Sequence, residues 1–188
     1  MSAQIFGLDI GRSFIKVVQV SNSGSKLLLT AAASMPTPGR GLLSELPGDL
    51  DMLAAAIKNC VKSAGANGDK CSVSLVESQV VTRVIQMPNL TDKELSAAIN
   101  WEADRYIPFP IKDVNLQYQV ISRKSVEAGG EMDVLLVAAP KRVTEKYLKV
   151  ISLAGFSVFA METEASSLAR ALVKVGDPAT IIDRKSLV

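Results

Sequence analysis

The residues equipped for chemistry cluster at the start of the chain. Asp9, Gly11, Ser13 and Lys16 stand in the run Ile5-Phe-Gly-Leu-Asp-Ile-Gly-Arg-Ser-Phe-Ile-Lys-Val-Val-Gln-Val20. A turn holding Gly11 and the short hydroxyl residue Ser13 lets backbone N–H groups approach closely and cradle phosphate oxygens. Asp9 can hold a hydrated divalent cation beside them. Lys16 shares the parity of Phe14, Val18 and Val20, which reads as the more apolar face of its strand. A lysine on such a face calls for an anionic partner or for access to water. A plainer reading competes: Gly-x-Asp-x-Gly is short, a strand ending in Asp-x-Gly is often only a turn, and on Gly7, Asp9 and Gly11 alone that reading wins.

The elements that must position these groups are two apolar, β-branched-rich runs, Ile5–Ile10 and Phe14–Val20, joined across Gly11-Arg12-Ser13. That is the pattern of a tight β-hairpin. Taken whole, apolar-Gly-apolar-Asp-apolar-Gly-x-Ser-x-x-Lys at the head of the chain resembles the first phosphate-binding hairpin of the actin-like ATPase superfamily, shared by actin, sugar kinases and heat-shock chaperones. The resemblance implies ATP and Mg2+ as cofactors. It gives Asp9 the magnesium shell, through water, and the turn Gly11, Arg12 and Ser13 the phosphates. Lys16 reaches the phosphate oxygens. Arg12 stands where a small or neutral residue is common, and its side chain is free to point to solvent.

Composition removes several function classes. With 188 residues the chain can bury one good core or two small ones. The net charge of +2 is small and scattered, and with nine aromatics and no run of four basic residues it gives no footprint for nucleic acid. No apolar stretch approaches 18 residues and no signal-peptide pattern opens the chain, so it reads as cytoplasmic, without direct membrane insertion. Histidine is absent, and Cys60 and Cys71 lack metal-ligand spacing. A zinc site and a histidine-based triad are thereby excluded.

Further along, Lys26–Met35 reads as a third strand and Pro36–Gly48 as a loop. Asp49 or Asp51 can cap a helix running to about Ser63, with Leu50, Leu53, Ile57 and Val61 on one stripe and Gly65 as its stop. Cys71–Glu77 and Val80–Met87 read as two more strands of the same core. At Pro88 the composition changes. Thr91 and Glu94 form a capping box for a helix carrying Leu95, Ala98 and Ile99, which ends before Ile107-Pro-Phe-Pro110. Trp101 points well off that stripe. It either packs against a neighbouring subdomain or, with Tyr106, Phe109 and Ile111, edges a groove for a partner. Strands Val114–Arg123 and Met132–Ala139, joined by a polar turn at 127–131, and a helix Lys141–Ala154 complete the insertion.

This insertion carries the more discriminating resemblance. Leu95-Ser-Ala-Ala-Ile-Asn-Trp-Glu-Ala-Asp-Arg-Tyr-Ile-Pro-Phe-Pro-Ile111, followed by Val114-Asn-Leu-Gln-Tyr-Gln-Val-Ile121, resembles the PilM family of type IV pilus assembly proteins, with the cell-division protein FtsA as a more distant relative. The fold implied is α/β: an actin-like (ribonuclease H-like) core over 1–87, an inserted small α+β subdomain over 88–155, and a return to the core over 156–188. Glu162 or Glu164 falls near the family's connecting helix, where a surface or capping role is equally open. Ala179-Thr-Ile-Ile-Asp183 looks like the opening of a second phosphate-binding strand, and the second large domain is absent. The function implied is a cytoplasmic actin-like scaffold of pilus or related secretion machinery. It is peripheral to the inner membrane, binds the N-terminal cytoplasmic peptide of a PilN-like inner-membrane protein, and works among other pilus assembly proteins. The alternatives are an actin-like ATPase or kinase fragment, for which no general base stands out, and an FtsA-like division protein.

Overall fold

The structure is a computed structural model that describes residues 4–24, 26–124 and 130–172. In chain order the elements are β1 (Ile5–Ile10), β2 (Phe14–Ser23), β3 (Lys26–Pro36), α1 (Pro47–Ala64), β4 (Lys70–Leu75), β5 (Val81–Pro88), α2 (Asp92–Ala103), β6 (Val114–Arg123), β7 (Glu131–Pro140), α3 (Lys141–Leu153), β8 (Ser157–Thr163) and α4 (Glu164–Leu172). They form two units. One gathers the described residues up to Val76 with Glu145–Arg170, and the other holds Glu77–Thr144.

The first unit is a five-stranded sheet in the order β3-β2-β1-β4-β8. β1, β2 and β3 run as an antiparallel meander, and β4 and β8 join β1 in parallel. Parallel neighbours need a crossover, which α1 supplies between β3 and β4. This mixed order, with only β2 antiparallel to β1, is the ribonuclease H-like arrangement of an actin-like core. Phe6, Leu8 and Ile10 of β1, Ile15 and Val17 of β2 and Cys71, Val73 and Leu75 of β4 are buried on the same side. α1 lies over β2 and β3, burying Leu53, Ile57, Cys60 and Val61, and its Cys60 thiol reaches the Ile15 carbonyl at 3.7 Å. Its start differs from the sequence expectation. The helix opens at Pro47, which suits a first-turn position because its missing N–H has no helical acceptor there. Asp49 sits in the first turn and accepts from the Ser44 hydroxyl. Gly65 ends the helix as expected, with φ at 70°.

Two expectations are corrected here. The face of β2 bearing Lys16, Phe14, Val18 and Val20 is the open one, whereas Ile15, Val17 and Gln19 are buried. β2 is apolar on both parities, so alternation alone could not choose. Register chooses, by setting Ile15 beside Ile10 and Val17 beside Leu8. The second concerns the boundary at 88 and the strand placed in the core over Val80–Met87. β5 pairs along its whole length with β7, so it belongs to the second unit, and the division falls near Glu77. Pro88 marks the end of a strand rather than the start of a domain.

The second unit is a three-stranded antiparallel sheet, β5-β7-β6, with α2 on one face. Ile85, Met87, Leu95, Ile99, Ala103, Val114, Met132, Val134 and Leu136 make its core. The capping box is formed: Thr91 N–H donates to Glu94 at 2.9 Å and Glu94 N–H donates to Thr91 Oγ1 at 3.3 Å. The expected strand opening at Ala179–Asp183 and part of the 127–131 turn lie outside the described residues. Among the described residues no helix is long and apolar enough to cross a membrane.

Candidate functional site

On the open face of the first sheet, register assembles a polar row. Ser34 stands opposite Lys16, Lys16 opposite Asp9, Asp9 opposite Ser74 and Ser74 opposite Glu162, one residue from each of the five strands. Lys16 Nζ donates to Asp9 Oδ2 at 2.9 Å, and Ser74 Oγ donates to Asp9 Oδ1 at 3.3 Å. The Asp9 carboxylate holds the Lys16 amine above its ordinary pKa, first through the hydrogen bond and then through its charge, with a smaller push from Glu164. At the far end of the row Glu162 is paired with Arg170 and accepts from Ser167 at 3.3 Å. Just past the end of β4, burial pushes the Tyr147 phenol up to about 12, and its oxygen accepts from the Val76 N–H at 3.4 Å.

The turn between β1 and β2 is tied down by a residue that local sequence reasoning did not identify. Thr37, just past β3, donates its hydroxyl to the Gly11 carbonyl at 2.8 Å and its N–H to the Ser13 carbonyl at 2.9 Å. Nothing near Thr37 in sequence marks it. The pairing of Pro36 with Phe14 brings it there. The Gly11 N–H closes the hairpin onto Phe14 at 3.0 Å and so is not a phosphate donor. The glycine is needed for space, because a Cβ there would lie 2.9 Å from the Phe14 carbonyl oxygen. Arg12 and Ser13 are exposed, and among the described residues their N–H groups enter no backbone hydrogen bond.

These residues fit one side of an anionic ligand. Lys16 with the N–H groups of Arg12 and Ser13 would hold phosphate oxygens, and Asp9, already accepting from Lys16 and Ser74, would hold a magnesium ion through its water. ATP, if bound there, would supply a γ-phosphoryl group, whose transfer also needs a positioned nucleophile. Among the described residues no group of three or more metal-ligating side chains stands together, so Asp9 would hold the ion through water alone.

The second unit presents an aromatic edge. Trp101 lies on the outer face of α2 and is 74% exposed. After the helix, Tyr106 and Ile107 N–H groups return to the Ala103 carbonyl, burying Ile107 and leaving Tyr106 partly open. Phe109 and Pro110 then line an open cleft of about 380 Å³ with Asp113, Pro140, Lys141 and Arg142. Lys141 Nζ donates to the Lys112 carbonyl at 2.7 Å, which pins one wall to the other. Of the four residues read from sequence as a partner edge, Phe109 faces this cleft and Trp101 and Tyr106 stand exposed. Ile111 packs instead against the unit's own core. The far wall, Pro140 to Arg142, comes from the β7–α3 junction, and no local spacing signalled it.

Comparison with known proteins agrees with this arrangement. The family model for the type IV pilus assembly protein PilM matches residues 7–179. A solved structure described as the PilM–PilN type IV pilus biogenesis complex is 32% identical with a TM-score of 0.76, covering 91% of this chain and 51% of its own. The chain thus spans about half the length of that relative. The cytoplasmic domain of EpsL, an inner-membrane component of the type II secretion system of Vibrio cholerae, shares the fold at 14% identity, with a TM-score of 0.54 over 87% of this chain and 58% of that one. With the family model running from the β1 strand past α4, the chain belongs to the PilM family of type IV pilus assembly proteins.

Proposed function

We propose that this chain serves pilus assembly as an actin-like scaffold whose second unit grips the N-terminal cytoplasmic peptide of a PilN-like inner-membrane protein. It works in the cytoplasm, held at the inner membrane through that partner and other pilus assembly proteins. The observation that carries the reading is the open cleft beside Phe109, walled by Pro110 and Pro140, whose prolines restrict the backbone before any ligand arrives. Rigid apolar walls with an aromatic anchor suit an extended peptide, and the solved relative was captured with PilN. The test is calorimetry with the tail peptide of the neighbouring inner-membrane protein. Phe109→Ala should weaken binding by about 2 kcal/mol, roughly 30-fold, with the melting temperature nearly unchanged. Wild-type affinity in a folded Phe109→Ala variant would move the partner site elsewhere.

A second reading, ATP with magnesium at the first unit, is favoured by the Asp9–Lys16–Ser74 constellation. In this reading Asp9, Gly11, Arg12, Ser13 and Lys16 form the phosphate side of the site, with Gly11 shaping the turn.

A further inference from the structure

Given the peptide reading of the second unit, on which this rests, we infer that a double strut holds the cleft beside Phe109 open before any ligand arrives. Asn115 and Thr144 are its positioning residues, set behind the walls and outside the lining. One wall, Phe109 to Asp113, leads into β6, and the other, Pro140 to Arg142, opens α3. The β6–β7 ladder reaches these walls only at its last pair, Val114 with Pro140.

Two bridges take over from the ladder. Lys141 Nζ donates to the Lys112 carbonyl at 2.7 Å. Asn115 Nδ2 donates to Thr144 Oγ1 at 2.8 Å, and that hydroxyl donates in turn to the Lys141 carbonyl at 2.9 Å. Each cross-wall bond joins residues 29 apart in sequence, so strand register and not local spacing brings the partners together. Thr144 is buried, which spares its hydroxyl the competition of water while it accepts and donates at once.

The charges in the cleft show what the strut prevents. Asp113 and Arg142 line it from opposite walls, and among the described residues neither side chain has a hydrogen bond or an ion pair. Opposite charges on facing walls attract, and pairing them would shut the cleft. The strut keeps both free for a peptide. Without it only a fraction of the molecules would be open, and apparent affinity would fall by that fraction.

The experiment is stopped-flow binding of the tail peptide of the neighbouring inner-membrane protein, with NMR relaxation dispersion on the free chain. A side chain that touches the peptide acts on dissociation, as Phe109→Ala should. One that holds the site open acts on association. Thr144→Val keeps the shape, removes the hydroxyl, and should slow association about five- to tenfold with dissociation near wild type. Asn115→Ala changes an exposed position and should do the same in a chain that folds normally. Thr144→Ser retains the hydroxyl and should associate as wild type does. In the free chain the Asp113 and Arg142 amides should be quiet in the wild type and show microsecond-to-millisecond exchange in Thr144→Val and Asn115→Ala.

Wild-type association by folded Asn115→Ala would overturn the inference. So would a loss confined to dissociation, or Thr144→Ser as slow as Thr144→Val. A wild-type chain that binds no tail peptide would sink the peptide reading instead, and the dispersion would then decide the strut alone. Exchange that arises only in the two variants upholds it, whereas a wild type already in exchange, or variants as quiet as the wild type, overturns it.

Discussion

Asp9 is the residue on which the polar row turns, because it accepts from Lys16 on one side and from Ser74 on the other. The pair has a pH signature whose sign is fixed by the raised lysine. An amine whose folded pKa lies above its unfolded value stabilises the fold fully below the unfolded pKa, near 10.5, and that contribution fades as pH rises through the higher folded value. Nitrogen-detected NMR titration of Lys16 should therefore place it above the ordinary lysine value, and Asp9→Asn should return it to the ordinary range. An unshifted Lys16 in the wild-type chain would mean that the ion pair does not persist in solution. Thr37 gives the second test at this scale. Thr37→Val keeps the shape but leaves the Gly11 carbonyl without its hydroxyl donor, at a cost of about 1 kcal/mol in urea unfolding.

Among the elements, α2 shows how a helix can be well specified at one end and carry function at the other. Its capping box and its buried stripe of Leu95, Ile99 and Ala103 place it on the second sheet. Trp101 is left on the open side. Leu95→Ala removes a 1% exposed side chain from a closed core and should destabilise by about 2–5 kcal/mol. Trp101→Ala should cost under about 0.5 kcal/mol, since it touches little. Thermal melts of the two variants test the contrast. An equal loss of stability would put Trp101 inside a packing contact. Gln19 is the counterpart in β2, a buried amide that bonds both the Asn67 carbonyl at 2.7 Å and the Asn67 N–H at 3.0 Å. It anchors the loop leaving α1 to the sheet, so a polar side chain is kept on a face otherwise filled by Ile15 and Val17.

At the scale of the whole molecule, the described residues would offer a nucleotide one polar row across a sheet face and one turn. In the nucleotide reading, phosphate contacts from Lys16 and two backbone N–H groups on one side would leave most of the ligand in water. Calorimetry of this chain with Mg-ATP should therefore find a dissociation constant no tighter than about 100 µM, and Lys16→Ala should abolish what remains. Micromolar affinity would mean that the site is more complete than the Asp9 row and its turn. That result would leave the peptide reading of the second unit untouched, because the two rest on different residues.

What the amino-acid sequence determined by itself is local or repetitive. The hairpin over Ile5–Val20, the Thr91 capping box, the Gly65 stop and the order of strands and helices follow from turn chemistry and short-range periodicity. The Ile107-Pro-Phe-Pro110 segment and its flanks sufficed for the family. What only tertiary structure decided is which of two apolar faces is covered and which distant residues meet. The face of β2 was ambiguous because Phe14, Val18 and Val20 are as apolar as Ile15 and Val17, and burial went to the side that β1 and β4 share under α1. β5 joined the second sheet because its hydrogen-bonding partner, β7, lies far along the chain. Thr37 on the β1–β2 turn and Arg142 on the aromatic cleft arrive by strand register and by a junction between elements, neither of which leaves a mark on neighbouring residues. Local pattern records what a residue does to its own backbone. Pairing across the sheet is a property of two segments at once, and it appears only when both are in place.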